Sequence, residues 1–542
     1  MNGKEAQRKI TEDEILYGNT PDISTGLTVI PLKLSHTGRM LVTIGVMVGM
    51  FLSALEATAV STAMPTVVSS LGGLSIYSWV FSAYFLTSTV SLPLWGKLSD
   101  LYGRRSFYVL GITIFLLGSA LSGQSQSMLE LIIFRGIQGF GGGALITLGM
   151  IIIGEIFSLK ERARIQGLFG GVWGFSSIVG PLIGGFITDH FSWRWVFYLN
   201  IPFGLIAALV VGFQLNESNR NKKVYLDYRG AILLASIITL TLLGLTEIGK
   251  ENGWRSPTAL LMLGSCLPIF WFFLITEKRA KDPILPLDLF SNRFFKTSAI
   301  TGFLIGMAMF GSISFIPLFI QGVIGTTATR TGIILAPLLL TWVFFSSISG
   351  KLMLRFGYRP LIFLGTFLVT IGFYLFTQMN ENATQTNAIR NMIFLGCGMG
   401  MIFVPLVLAV QNSVPRNHLG IATSATQFFR LVGGTVGVSV MGVVMSTYMH
   451  RGFNSLPKDT LSADYFKSLD LIVNPVARET LSPEVLSFLK GLLAYSLHYV
   501  FITGFVIAIL AFLSAFLVPN EKIVDRRDKE KIGTKGIGNK NA

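Results

Sequence analysis

Charge is scarce in this sequence. Only 13% of its 542 residues are Asp, Glu, Lys or Arg, against 51% apolar residues and a mean hydropathy of +0.62. A soluble chain carries roughly 25% charged residues, so this one cannot cover a water-facing surface. That excludes a soluble enzyme, a disordered chain and a nucleic-acid-binding module, and it makes the chain a polytopic membrane protein. Acid is scarcer than base: 28 Asp and Glu stand against 43 Lys and Arg, a net charge of +15. The basic residues fall in short clusters between apolar runs, the pattern of a positive-inside bias rather than of a nucleic-acid footprint. There are two cysteines, Cys266 and Cys397, both within apolar runs, which excludes a disulfide framework and a cysteine metal site. The five histidines, His36, His190, His418, His450 and His498, are scattered near run ends without metal-ligand spacing. No Walker-type glycine loop occurs, which argues against ATP-driven transport. No Ser/His or His/Asp constellation sits at one membrane face, so a membrane enzyme such as an acyltransferase is not expected. Neither a metal nor an organic cofactor is expected.

What is present is a series of apolar runs. A spanning helix needs about 20 mostly apolar residues. Fourteen runs qualify, near 40–63, 77–98, 106–124, 129–155, 165–188, 194–214, 229–248, 258–276, 297–321, 332–350, 360–378, 389–410, 420–446 and 493–518. Residues 1–39 are polar, and the run from Leu41 is followed by many more, so it reads as a retained helix. With the N-terminus placed in the cytoplasm, cytoplasmic segments hold about 31 of the 43 basic residues and external ones about 10. Arg135 and Arg430 remain inside runs. Both termini are then cytoplasmic, and the basic tail 519–542 reads as an anchor on an anionic leaflet. The stretch Pro286 to Phe290 reads as a short interfacial segment. Between the last two runs lies a polar external loop, 447–492, in which Ser482-Pro483-Glu484 predicts the start of a short amphipathic helix.

An internal repeat divides the chain. Gly96-Lys97-Leu98-Ser99-Asp100-Leu101-Tyr102-Gly103-Arg104-Arg105 follows the second run, and Gly350-Lys351-Leu352-Met353-Leu354-Arg355-Phe356-Gly357-Tyr358-Arg359 follows the tenth; five of ten positions agree. Such duplication is typical of transporters built from repeated bundles. The expected organisation is a cytoplasmic tail 1–39, a six-helix bundle 40–214, a linker 215–296 with two extra spans, a second six-helix bundle 297–518, and the tail 519–542.

These residues carry a resemblance. The stretch from Gly96 to Arg105 resembles the loop signature of the major facilitator superfamily. Arg135-Gly136-Ile137-Gln138-Gly139-Phe140-Gly141-Gly142-Gly143 resembles its fourth-helix motif, and Gly174 through Gly180-Pro181-Leu182-Ile183-Gly184-Gly185 the fifth-helix motif associated with antiporters. Leu55-Glu56-Ala57-Thr58-Ala59-Val60-Ser61-Thr62-Ala63-Met64-Pro65 and Trp193-Arg194-Trp195-Val196-Phe197-Tyr198-Leu199-Asn200-Ile201-Pro202-Phe203-Gly204 look like first- and sixth-helix signatures of the fourteen-helix drug:proton antiporters. The resemblance covers about residues 40–518. It implies an all-α, fourteen-helix fold whose halves rock about a midplane cavity, and multidrug efflux driven by the proton gradient. An exporter or flippase of envelope lipids or glycolipids is the alternative on the same fold; a solute importer fits the fifth-helix motif less well. Protons, hydrophobic or amphiphilic small molecules or lipids, and the membrane would be its partners, and the protein would be a monomer in a bacterial inner membrane.

Several residues follow as candidates. An ionisable group inside a membrane is expensive and functional by default. The first-helix motif usually carries Asp; here it is Glu56, which keeps the carboxyl chemistry and reaches a methylene further. Glu56 is the expected proton carrier. Arg135 is either its electrostatic modulator or a structural arginine bonded to carbonyls. Asp100 and Arg104 would form a cytoplasmic latch. Gly180, Pro181, Gly184 and Gly185 would form a pliable hinge or contact surface. Runs nine to fourteen hold no Asp or Glu in their apolar cores, and Arg430 stands in the thirteenth. A cation in the cavity wall disfavours a dicationic substrate. Glu155 is its candidate partner across the halves, forming a gate, or else a solvated helix-end carboxylate. Phe81, Tyr84, Trp173, Phe310, Trp342 and Phe428 are candidates for a greasy substrate cavity.

Overall fold

The computed structural model describes residues 35–157, 159–215, 227–249, 253–280, 283–414, 419–454 and 482–520. Asp100, Glu155 and Trp173 lie in helices, but their side chains fall outside the described residues. Fourteen helices of spanning length follow one another. They are α1 (His36–Leu71), α2 (Tyr77–Tyr102), α3 (Arg104–Gln124), α4 (Met128–Ile156), α5 (Leu159–His190), α6 (Arg194–Gln214), α7 (Tyr228–Ile248), α8 (Pro257–Arg279), α9 (Arg293–Phe319), α10 (Ala328–Phe356), α11 (Tyr358–Thr377), α12 (Gln385–Ser413), α13 (Leu419–Asn454) and α14 (Pro483–Ala515). Twelve of them, all but α2 and α5, are long and apolar enough among their described residues to cross a membrane by composition.

Each helix corresponds to one of the fourteen apolar runs, and most extend beyond it. α1 continues through Pro65 to Leu71, because neighbouring helices and hydroxyl groups satisfy the backbone that proline frees. Polar residues start the helices: Ser127 Oγ accepts from Glu130 N at 3.2 Å while Glu130 Oε2 accepts from Gln126 N at 2.8 Å, and Thr384 pairs reciprocally with Asn387. The amphipathic helix expected within the loop 447–492 is not separate. Ser482 Oγ accepts from Val485 N at 3.4 Å and opens α14, which runs unbroken to Ala515, while α13 reaches Asn454. The apolar residues from Val485 onward are therefore the first turns of a spanning helix. The stretch Leu287–Ser291 forms a short 3-10 turn ahead of α9.

The repeat has a structural counterpart. Gly103 alone links α2 to α3, at φ 103°, and Gly357 alone links α10 to α11, at φ 84°. A reversal within one residue needs positive φ, which glycine adopts without a Cβ penalty. The helices after each turn occupy matching positions. In the first half α4 packs on α2 and α3, and α1 on α5 and α6; in the second, α12 packs on α10 and α11, and α9 on α13 and α14. The two extra helices pack on each other, and α7 also touches α2 and α13 beside the seam between the halves.

Connections alternate between two ends of the bundle. The distal end carries the α1–α2, α5–α6 and α9–α10 connections; the proximal end carries Gly103 and Gly357.

Candidate functional site

Five helices of the first half bring polar groups to one dry point. Glu56 of α1 and Arg135 of α4 are each 1% exposed. Arg135 Nη1 lies 2.5 Å from Glu56 Oε1. The other carboxylate oxygen, Oε2, accepts from Asn200 Nδ2 of α6 at 2.6 Å. Gln138, one helical turn after Arg135 on the same face, accepts from Arg135 Nη1 at 2.8 Å and donates through Nε2 to Ser119 Oγ of α3 at 3.1 Å. Asn200 Nδ2 also donates to Ser119 Oγ, at 2.9 Å, and the Ser119 hydroxyl in turn donates to Phe197 O at 2.8 Å. Arg135 Nε reaches Val80 O of α2 at 3.3 Å, and the guanidinium lies 4.3 Å from the centre of the Tyr84 ring. The Tyr84 hydroxyl meets Ser53 Oγ at 3.2 Å.

Local sequence explains how Asn200 arrives. The regular helix of α6 is interrupted at Leu199, between Tyr198 and Asn200. Pro202 lacks the N–H that would reach the carbonyl of Tyr198, and its ring crowds that carbonyl. Asn200 stands beside this gap in the hydrogen-bond ladder, fully buried against the pair.

A carboxylate and a guanidinium buried together hold because each satisfies the other; removing one partner strands a charge, at about 3–5 kcal/mol. A proton on Glu56 would neutralise one member without removing an atom. Arg135 would still hold Gln138, Val80 O and the Tyr84 face.

Of the other sequence candidates, Arg104 closes the end of α2, donating from Nη1 to Gly96 O at 3.2 Å and to Ser99 Oγ. Its expected latch partner, the Asp100 side chain, lies outside the described residues, as does that of Glu155. Arg430 is paired with no described acidic side chain; its guanidinium lies 5.0 Å from the Phe403 ring centre. Tyr84, expected in a greasy cavity, lies under Arg135. Phe81 is fully buried, 5.4 Å from Tyr77. Phe310 meets Phe85 across the halves at 4.5 Å, Trp342 meets Phe403 at 5.4 Å, and Phe428 meets Phe429 at 5.6 Å. The Trp173 side chain lies outside the described residues. Sequence reasoning missed Gln138, Asn200, Ser119 and Ser53. Gln138 and Asn200 stand inside recognised motifs; a polar residue one turn from Arg135 was the available signal.

The fifth-helix glycines form a contact strip. A Cβ on Gly180 would meet Thr58 Oγ1 at 2.1 Å, one on Gly184 the Ala59 carbonyl oxygen at 2.4 Å, and one on Gly185 the Ala328 carbonyl oxygen of the other half at 2.4 Å. Pro181 presents its carbonyl to Gly332 of α10. Beside this strip, the distal end is bonded across the halves. Asp189 Oδ1 and Oδ2 accept from Ala328 N at 3.1 Å and Thr329 N at 2.7 Å, capping α10. Tyr77 donates to Ser314 O at 2.5 Å, Gln321 Nε2 donates to Thr62 O at 2.9 Å, and Ser82 and Ser439 share a bond of 2.8 Å. Below these contacts a narrow cleft between the halves is lined by Thr58, Ser61, Pro181, Ser312, Ile313, Ile316, Leu335, Leu338 and Leu339.

Comparison with known proteins agrees with this architecture. A model of the Major Facilitator Superfamily matches residues 46–438. The chain belongs to that superfamily. It is 38% identical over 531 residues to the multidrug transporter protein MdtP of Bacillus subtilis, covering 92% of this chain and 98% of that one. Multidrug resistance protein 3 of the same organism is 36% identical over 413 residues, covering 76% and 81%. Among solved structures, a bacterial homologue of the human lysosomal transporter Spinster, in an inward-facing and occupied conformation, matches with a TM-score of 0.64 at 15% identity. It covers 89% of this chain and 97% of that chain, and the likeness speaks for the fold. The protein is a multi-span membrane transporter, not an enzyme.

Proposed function

We propose that the protein is a proton-coupled exporter of hydrophobic or amphiphilic compounds, acting as a monomer by alternating access. The observation that carries this reading is the buried Glu56–Arg135 pair, a titratable carboxylate held deep in a membrane-spanning bundle. The similarity to the two Bacillus multidrug proteins supports the substrate class. Glu56 takes a proton from one side and returns it to the other. Protonation releases the hold of Arg135 and Asn200 on the carboxylate, and that change biases how the first half packs. Asn200, Gln138 and Ser119 position the pair and keep its other hydrogen bonds satisfied.

The positive-inside count supports a cytoplasmic proximal end, and the distal contacts then close the external side. The α5 strip and Asp189 serve as the external seal, and the Gly96–Arg105 turn as the cytoplasmic fastening. Moving a charge through 100 mV is worth about 2.3 kcal/mol, so one proton at ~150 mV supports a gradient of a few hundredfold for a neutral compound.

The test is reconstitution in liposomes with an imposed proton gradient, following a fluorescent lipophilic monocation beside a labelled lipid. Gradient-driven movement of the cation, lost in Glu56→Gln, is the expected result. Movement of the lipid alone would replace drug efflux with envelope lipid export.

A further inference from the structure

Arg430 is the second guanidinium inside a membrane helix, and its surroundings differ from those of Arg135. Its Nε is buried without a hydrogen-bond partner, and it forms no ion pair with any described side chain. Apart from Glu484 in the first turn of α14, helices α9 to α14 contain no Asp or Glu. The spanning cores of the second half therefore offer no carboxylate to balance this cation.

The place of the guanidinium is set by a chain of aromatic contacts. Its carbon lies 5.0 Å from the Phe403 ring centre, and Phe403 lies 5.4 Å from Trp342 at an interplanar angle of 31°. On α10, Trp342 follows Leu335 by seven residues and Leu338 by four, so the three share a helix face. Leu335 and Leu338 line the cleft between the halves. Because α10 runs from the distal to the proximal end, Trp342 continues that wall one turn deeper. A cation, two aromatic faces and an apolar approach thus meet along the seam where substrate would pass.

An unpaired charge in a low-dielectric setting is costly unless something compensates it. A guanidinium presents a planar fork of donors that matches a carboxylate, and aromatic faces take a flat apolar body. We propose that Arg430, with Phe403 and Trp342, forms an anion-binding subsite on the substrate pathway, selecting amphiphiles that carry a single carboxylate beside an apolar body. This rests on the exporter reading and narrows its substrate class.

The test uses the full-length purified protein in neutral detergent, with three fluorescent probes. These are dansyl-aminoundecanoic acid, its uncharged methyl ester, and the lipophilic cation rhodamine 6G. Arg430→Gln is expected to weaken the acid about tenfold or more, roughly 1.4 kcal/mol, while the ester and the cation bind as before. Arg430→Lys is expected to retain part of the preference for the acid over the ester. Equal binding of the acid to wild type and Arg430→Gln would overturn the subsite. A parallel loss of acid and ester would also overturn it, by making Arg430 structural. Proton-driven rhodamine 6G movement in liposomes tests the exporter reading separately. If that movement persists while the acid is indifferent to Arg430, the subsite fails and the exporter stands; if the gradient moves neither rhodamine 6G nor the acid in wild type, the exporter reading fails.

Discussion

The two halves of the molecule share one packing plan and differ in how each houses its membrane arginine. In the first half Arg135 meets Glu56, Gln138, Val80 O and the face of Tyr84, and every helix except α5 contributes a group to the network. In the second half Arg430 meets the Phe403 ring and no described carboxylate. Duplication thus conserved the scaffold, down to the single-glycine turns at Gly103 and Gly357, while the polar chemistry went to one side. A closed site with its carboxylate paired on both oxygens suits a group whose charge must change on cue. An open cation suits a group that waits for a ligand. On the proposed reading, the first half would serve energy coupling and the second recognition.

That division can be broken at graded points. The largest effect is expected from Arg135→Ala, which strands Glu56 among apolar helices. It should lower stability by about 3–5 kcal/mol, read as a fall in unfolding midpoint in detergent, and abolish transport. Arg135→Ala combined with Glu56→Gln should recover much of that stability without recovering transport, because no charge is then left alone. A double variant as unstable as the single one would mean that the guanidinium matters for its packing rather than its charge.

A smaller effect is expected at the seam. Gly185→Val places a Cβ within 2.4 Å of the Ala328 carbonyl oxygen, a distance that backbone cannot absorb. The distal ends should be forced apart, so that a cysteine at Ser82 or Ser314 labels several-fold faster from the distal side. Unchanged labelling would place the seal elsewhere. The smallest effect is expected from Asp189→Ala, which removes two bonds to the start of α10. Losing a capping carboxylate costs about 0.5–2 kcal/mol, so the same labelling should rise modestly. Asp189→Asn should fall between, since its side-chain oxygen still accepts one bond.

Much of the scaffold was legible because it is local. Apolar runs report spans, the repeated Gly96–Arg105 and Gly350–Arg359 motifs report two corresponding connections, and Pro286 to Phe290 reported a short segment before α9. The companions of Glu56 were less legible. Asn200 lies 144 residues away and reaches the carboxylate only through the packing of α6 on α1. Tyr84 reads as a lining aromatic from its helix alone, yet its ring is turned to the guanidinium by the register of α2 on α4. The start of α14 was hidden because Ser482-Pro483-Glu484 opens any helix alike, and only packing decides whether it continues across the membrane. The Glu155–Arg430 candidate comes from charge complementarity, and the Glu155 side chain lies outside the described residues.

The central claim is that Glu56 carries the proton that drives transport. Liposomes loaded with a pH-sensitive dye, holding the protein and no initial pH difference, test it most directly. Adding a transported amphiphile should move protons in the opposite direction with the wild-type protein and move none with Glu56→Gln, while Glu56→Gln still exchanges labelled for unlabelled amphiphile. Proton movement that persists in Glu56→Gln would contradict the account.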